Sequence, residues 1–190
     1  MNIAHFFTFL RIVIIPFFPL VYLKYSWLKI PAIIMPFILL AILSFCEITD
    51  LMDGFLARKR NIVSDLGKVL DPMADSITRI SVFFTFTQGW VGVPILLVFV
   101  FLYREFFINT LRTICAMKGF ALAARKSGKV KAILQAIVNM VIVVLMIFYA
   151  FDLISKNILQ ITAISLVSLA ALYTVISAVD YIYANKSYIK

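Results

Sequence analysis

Apolar residues in this chain gather into six long runs separated by short polar or basic stretches. Runs of this length predict helices that cross a membrane rather than strands of a soluble sheet. Residues 2–10, NIAHFFTFL, are short, aromatic and weakly amphipathic, and predict an interfacial helix leading into the first span. The spans fall at about residues 11–23, 31–58, 65–88, 91–116, 130–151 and 159–183. Pro16 and Pro19 predict a kink or tilt in the short first span. Pro31 suits a first helical turn, and Ser64 or Asp65 can cap the third span. Tyr22, Tyr25 and Trp27 after the first span, and Trp90 after the third, sit where interfacial aromatics are expected. The pattern predicts an all-α polytopic membrane protein: six transmembrane helices with a short N-terminal interfacial helix, one domain over 1–190. It shows no internal repeat.

Composition strengthens this reading. Hydrophobic residues make up 64% of the chain and its mean hydropathy is +1.05, beyond the range of ordinary soluble domains. The net charge of +9 is unevenly spread. Arg58, Lys59, Arg60 and Lys68, then Lys118, Arg125, Lys126, Lys129 and Lys131, then Lys186 and Lys190, fall on one face of the six-span layout. The other face has Lys24, Lys29 and Lys156. The positive-inside rule therefore predicts both termini, the acidic residues between Thr49 and Asp75 and the basic connector between the fourth and fifth spans at the cytoplasmic face of the cell's inner or plasma membrane. The charge reads as topology and affinity for anionic headgroups, not as nucleic-acid binding. The N-terminus lacks the basic start of a signal peptide and is expected to stay attached. Cys46 and Cys115 form no CxxC and are expected as buried thiols.

The chemistry concentrates between Thr49 and Asp75. Asp50 and Asp53 are spaced i, i+3, and Asp71 and Asp75 are spaced i, i+4, so each pair shares a helix face. Carboxylates inside membrane helices are costly and point to function. Close together they repel unless a cation joins them. An all-oxygen set favours a hard ion, Mg²⁺, Mn²⁺ or Ca²⁺, and beside basic residues it suggests phosphate chemistry. Gly54 and Gly67 leave the helix surface bare for a ligand, and Arg58 follows Gly54 by one turn. The same cluster would also suit a cation or proton relay, or salt-bridged packing. A transporter, however, predicts inverted repeats or paired broken helices, and none is found.

A second polar group lies in the fourth span. Arg104, Glu105 and Arg112, with Lys129 and Lys131 at the start of the fifth span, could hold a second phosphate. Alternatively, Arg104 and Glu105 pair with each other and the lysines meet lipid phosphates. Glu47, one turn before Asp50, could join the acidic cluster or pair with a lysine.

The stretch resembles the signature of the CDP-alcohol phosphatidyltransferase family, D-x2-D-G-x2-A-R-x8-G-x3-D-x3-D, in Asp50, Asp53, Gly54, Ala57, Arg58, Gly67, Asp71 and Asp75. The opening NIAHFFTFLR, the segment YREFFINTLR (103–112) and SGKVKA (127–132) are similar to the members that make phosphatidylglycerophosphate. Ala4-His5 and Ala132 depart from the usual Pro-Asn and Thr there. The resemblance implies two Mg²⁺ or Mn²⁺ ions held by Asp50, Asp53, Asp71 and Asp75, with Asp75 as general base. It implies CDP-diacylglycerol bound by Gly54, Ala57, Arg58, Ser64 and Gly67. It implies glycerol 3-phosphate as acceptor, its phosphate met by Arg104, Arg112, Lys129 and Lys131. It also implies a homodimer.

Overall fold

The computed structural model describes residues 3–60, 65–117 and 125–184. Every regular element among them is an α-helix: α1 (Ile3–Ile14), α2 (Phe17–Lys24), α3 (Met35–Arg60), α4 (Asp65–Thr85), α5 (Ile95–Met117), α6 (Lys126–Ala150) and α7 (Lys156–Ala184). The expected interfacial helix and first span are divided differently from the sequence reading. α1 runs straight through Arg11, and the break falls at Ile15–Pro16. Proline has no N–H to continue the ladder, so the chain turns there, and Pro19 is tolerated in the first turn of α2.

The helices form a closed ring. α3 packs on α6, α6 on α7, α7 on α5 and α5 on α4, and α4 also reaches α6 across the middle. α1 and α2 close the ring as a wedge, each packing on both α3 and α4. The interior is aromatic and aliphatic. Phe83 and Phe101 stack at 4.4 Å, and Phe18 meets Phe86 edge-on at 5.9 Å. The buried residues of α7, Ala163, Val167, Ala170, Thr174, Ser177 and Tyr181, recur every three or four positions. Several are small, which lets neighbouring backbones approach closely. Its opposite face exposes Leu169, Leu172, Val175, Ile176 and Val179. In a membrane protein such a face meets lipid, so its exposure carries no penalty. Among the described residues, α6 and α7 are long and apolar enough to cross a membrane by length and composition.

Tyr22 is a fastener rather than an exposed anchor. It is buried, and its hydroxyl donates to the Gln88 carbonyl at 2.8 Å. The same oxygen accepts the N–H groups of Trp90 at 2.9 Å and Val91 at 3.1 Å. The α4–α5 turn can wrap it because Gly89 adopts φ +67°, and a Cβ there would stand 3.0 Å from the Tyr22 ring. Tyr25 packs edge-on against Trp90, whereas Trp27 is exposed.

Candidate active site

The wedge of α1 between α3 and α4 creates a polar cleft. Arg11 from α1, Cys46, Glu47 and Asp50 from α3, and Asp75, Thr78 and Arg79 from α4 line a small, half-open cleft. Arg11 Nη1 donates to Asp50 Oδ1 at 3.0 Å and also to Asp75 Oδ1. One nitrogen thus bridges two of the signature carboxylates, 25 positions apart in the chain and on different helices. The Arg11 side chain keeps 3% of its surface, whereas Asp50 keeps 39% and Asp75 24%. The carboxylates therefore face the cleft and the guanidinium forms its floor. Arg79 Nη2 stands 3.8 Å from Asp75 Oδ2, one turn further along α4. Thr78 Oγ1 and Arg79 Nε are buried without a hydrogen-bond partner in the protein, which leaves the cleft wall with donors to offer a ligand.

The remaining signature residues ride on the same two helices. Asp53, Gly54, Ala57 and Arg58 follow Asp50 along α3, while Gly67 and Asp71 precede Asp75 along α4. Their side chains, and Ser64 as a whole, lie outside the described residues. Among the described residues, no group of three His, Cys, Asp or Glu side chains could hold a metal ion by itself. The donor chemistry nevertheless fits a hard divalent cation. Asp50 and Asp75 supply only oxygen, and both already share one positively charged nitrogen.

Across α4 lies a second cluster. Glu105 Oε1 accepts from Arg104 Nη1 at 3.1 Å and from Lys131 Nζ. Glu105 Oε2 accepts from Ser76 Oγ at 2.9 Å. Arg104 Nη2 reaches Ser177 Oγ at 3.4 Å, and Gln135 Nε2 reaches Thr174 Oγ1 at 3.3 Å. Arg112 lies 5.7 Å over the Tyr181 ring, with Nε 3.4 Å from its hydroxyl. Of the four cations expected around an acceptor phosphate, Arg104 and Lys131 converge on Glu105. Two buried cations in a low-dielectric interior need an anion nearby. Lys129 is exposed and lies two residues from Lys131, so it points from another face of α6.

The start of α6 is tied to α7. Arg125 donates twice to Asp180, both at 2.8 Å, and Ser127 Oγ also donates to Asp180. A Cβ on Gly128 would meet Arg104 Nη2 at 3.6 Å, an ordinary contact. Cys46 and Cys115 are buried free thiols.

Sequence reasoning passed over Arg11, Arg79 and Asp180. Arg79 carried a signal, because it sits one turn after Asp75. Arg11 carried another, because an arginine in an apolar aromatic helix needs a buried partner.

The CDP-alcohol phosphatidyltransferase family model matches residues 1–179. A Bacillus subtilis protein named CDP-diacylglycerol–glycerol-3-phosphate 3-phosphatidyltransferase is 30% identical over 190 residues, covering 97% of this chain and 95% of its own. An Escherichia coli K12 protein of the same name is 32% identical over 194 residues, covering 98% and 96%. A Treponema pallidum protein, also so named, is 30% identical over 159 residues, covering 80% and 73%.

Proposed function

The chain belongs to the CDP-alcohol phosphatidyltransferase family, and we propose that it transfers the phosphatidyl group of CDP-diacylglycerol to the 1-hydroxyl of sn-glycerol 3-phosphate. The products are phosphatidylglycerophosphate and CMP. What supports this reading is the meeting of Asp50 and Asp75 at one cleft. It stands in a chain similar over nearly its whole length to proteins named for that reaction.

The hydroxyl oxygen of glycerol 3-phosphate forms a bond to the phosphorus on the diacylglycerol side. The bond from that phosphorus to the bridging oxygen breaks, and CMP leaves with that oxygen. Asp75, open to the cleft, takes the hydroxyl proton. Asp50, Asp53, Asp71 and Asp75 would hold two Mg²⁺ or Mn²⁺ ions, which when bound draw charge from the pyrophosphate and stabilise the departing CMP. Gly54, Ala57, Arg58, Ser64 and Gly67 would border the CDP group. Arg104, Arg112 and Lys131 would orient the acceptor's phosphate from the opposite side of α4, with Glu105 holding two of them in place.

The chain would cross the plasma membrane six times as one domain over 1–190, with both termini and the cleft cytoplasmic, and would act as a homodimer. The Lys/Arg bias of its connectors and the apolar outer faces of its helices support that placement. The test is CMP release by the full chain in detergent with CDP-diacylglycerol and Mg²⁺, offering glycerol 3-phosphate, inositol phosphate, serine and phosphatidylglycerol separately. Release with glycerol 3-phosphate alone is expected. Release with another acceptor instead would overturn the acceptor assignment. No release with any would overturn the reaction.

A further inference from the structure

We propose that Arg11 is a resident counter-cation of the active site, occupying the seat between Asp50 and Asp75 and competing there with the divalent cation. The inference rests on the reading of these carboxylates as metal ligands. Three observations carry it. First, a single nitrogen, Nη1, is within hydrogen-bond reach of one oxygen of each carboxylate. A divalent cation bridging those two oxygens needs each at about 2.1 Å if it is Mg²⁺. The nitrogen and the ion cannot share that volume. Second, Arg11 is buried at the floor of the cleft while both carboxylates are open to it. An ion arriving from the cleft therefore finds its ligands already neutralised from behind. Third, α3 and α4 are each packed against α1, so the residue that neutralises the pair also belongs to the wedge between them.

The arrangement answers a problem that any metal site within a membrane bundle faces. Before the metal is bound, two carboxylates from neighbouring helices repel, and in a poorly screened interior the repulsion is strong. Arg11 removes it and keeps the two helices in register. The same contact lowers the apparent affinity for the metal, because only the fraction of molecules with Arg11 withdrawn is competent to bind. Apparent affinity falls below its intrinsic value by that same fraction. An ion seated on the outer oxygens alone, with Arg11 in place, would still meet a like charge close behind it. The direction of the effect is therefore the same in either geometry: removing the guanidinium tightens metal binding. A residue that only held the carboxylates in shape would act in the opposite direction.

The test measures Mn²⁺ binding by the metal-stripped, full-length chain in detergent, reading the free-Mn²⁺ electron paramagnetic resonance signal with no substrate present. Arg11→Met is expected to bind Mn²⁺ about tenfold more tightly than the unaltered chain. Arg11→Lys keeps one charge but loses the planar fork, and is expected to bind about threefold more tightly. It carries the test if Arg11→Met does not fold. Unchanged or weaker binding in the folded variants would overturn the proposal. Failure of the acceptor assignment is separable from failure of this one. Tighter Mn²⁺ binding without transfer to glycerol 3-phosphate would refute the acceptor and leave Arg11 in its role. Transfer with unaltered Mn²⁺ binding in Arg11→Met would refute the counter-cation alone.

Discussion

Glu105→Gln is the perturbation with the most calculable outcome. Glu105 lies on the buried side of α5 and accepts hydrogen bonds from Arg104, Lys131 and Ser76. Arg104 is 8% exposed and Lys131 2%, so both cations are left poorly solvated when the carboxylate is lost. Removing one partner of a buried ion pair costs about 3–5 kcal/mol, because the partner left behind is an uncompensated charge. Glutamine keeps the volume, and its carbonyl still accepts one hydrogen bond, so the loss belongs near the lower end, about 3 kcal/mol. Lys131→Met removes the more deeply buried cation and leaves Arg104 with Glu105. Combining the two substitutions removes a charge and one of the two charges it stranded. The double variant is therefore expected to be more stable than the sum of the single losses by about 2 kcal/mol. The assay is reversible unfolding of the detergent-solubilised chain by sodium dodecyl sulfate, followed by circular dichroism, for the four members of the cycle. A loss below about 1 kcal/mol for Glu105→Gln, or additive losses in the double variant, would refute the view that Glu105 is the required anion of this cluster.

Asp75→Asn is expected to lower kcat by about 10² to 10⁴, the range of a general base, while Mn²⁺ binding partly survives; full activity would remove Asp75 from that role. Arg112→Ala is expected to raise KM for glycerol 3-phosphate far more than KM for CDP-diacylglycerol in steady-state CMP release, and equal increases would detach Arg112 from the acceptor. Tyr22→Phe strips the α4–α5 turn of an acceptor for two N–H groups and a donor to one carbonyl, and is expected to cost about 1–3 kcal/mol in thermal or detergent unfolding with little change in KM.

The helical character of this chain was legible because apolar runs of membrane length are separated by basic connectors, a signal that survives any error of a few residues at the ends. The division at the N-terminus was legible in part: Pro16 predicted the kink that separates α1 from α2, but no boundary falls at Arg11, which the structure buries against carboxylates 39 and 64 positions away. Periodicity along one helix carries no information about a partner at that distance. The spacing singled out Asp50 and Asp75 among the signature carboxylates. What spacing could not show is that these two meet through a third helix. For Arg104 and Lys131 the residue types pointed to an anion, and the sequence left two kinds open. The structure adds that Glu105 is one such anion. Tyr22 shows a second limit of composition. An aromatic after a span reads as a membrane-surface anchor by composition, and only the left-handed turn at Gly89 reveals the hydroxyl as a fastener.

The two clusters owe their separation to adjacent residues of one helix. Asp75 and Ser76 are consecutive on α4, and consecutive helical side chains diverge by about 100°. Asp75 therefore enters the cleft between α1 and α3, while Ser76 reaches Glu105 on α5. The first cleft is acidic and suits a cation and the pyrophosphate it would carry. The second cluster is buried and carries Arg104 and Lys131 around Glu105, and under the proposed reaction its cations would face an anionic phosphate. Under the proposed reaction the two substrates bring phosphates that repel each other, and the attacking hydroxyl must still come within bonding distance of one phosphorus. Setting the two binding groups on opposite flanks of α4 keeps the phosphates apart. The helix between them would place the proposed base, Asp75, at the boundary. Asp75, held by Arg11 on one side and one residue from the Ser76–Glu105 contact on the other, is the only described carboxylate in the cleft from α4, the helix shared by both clusters.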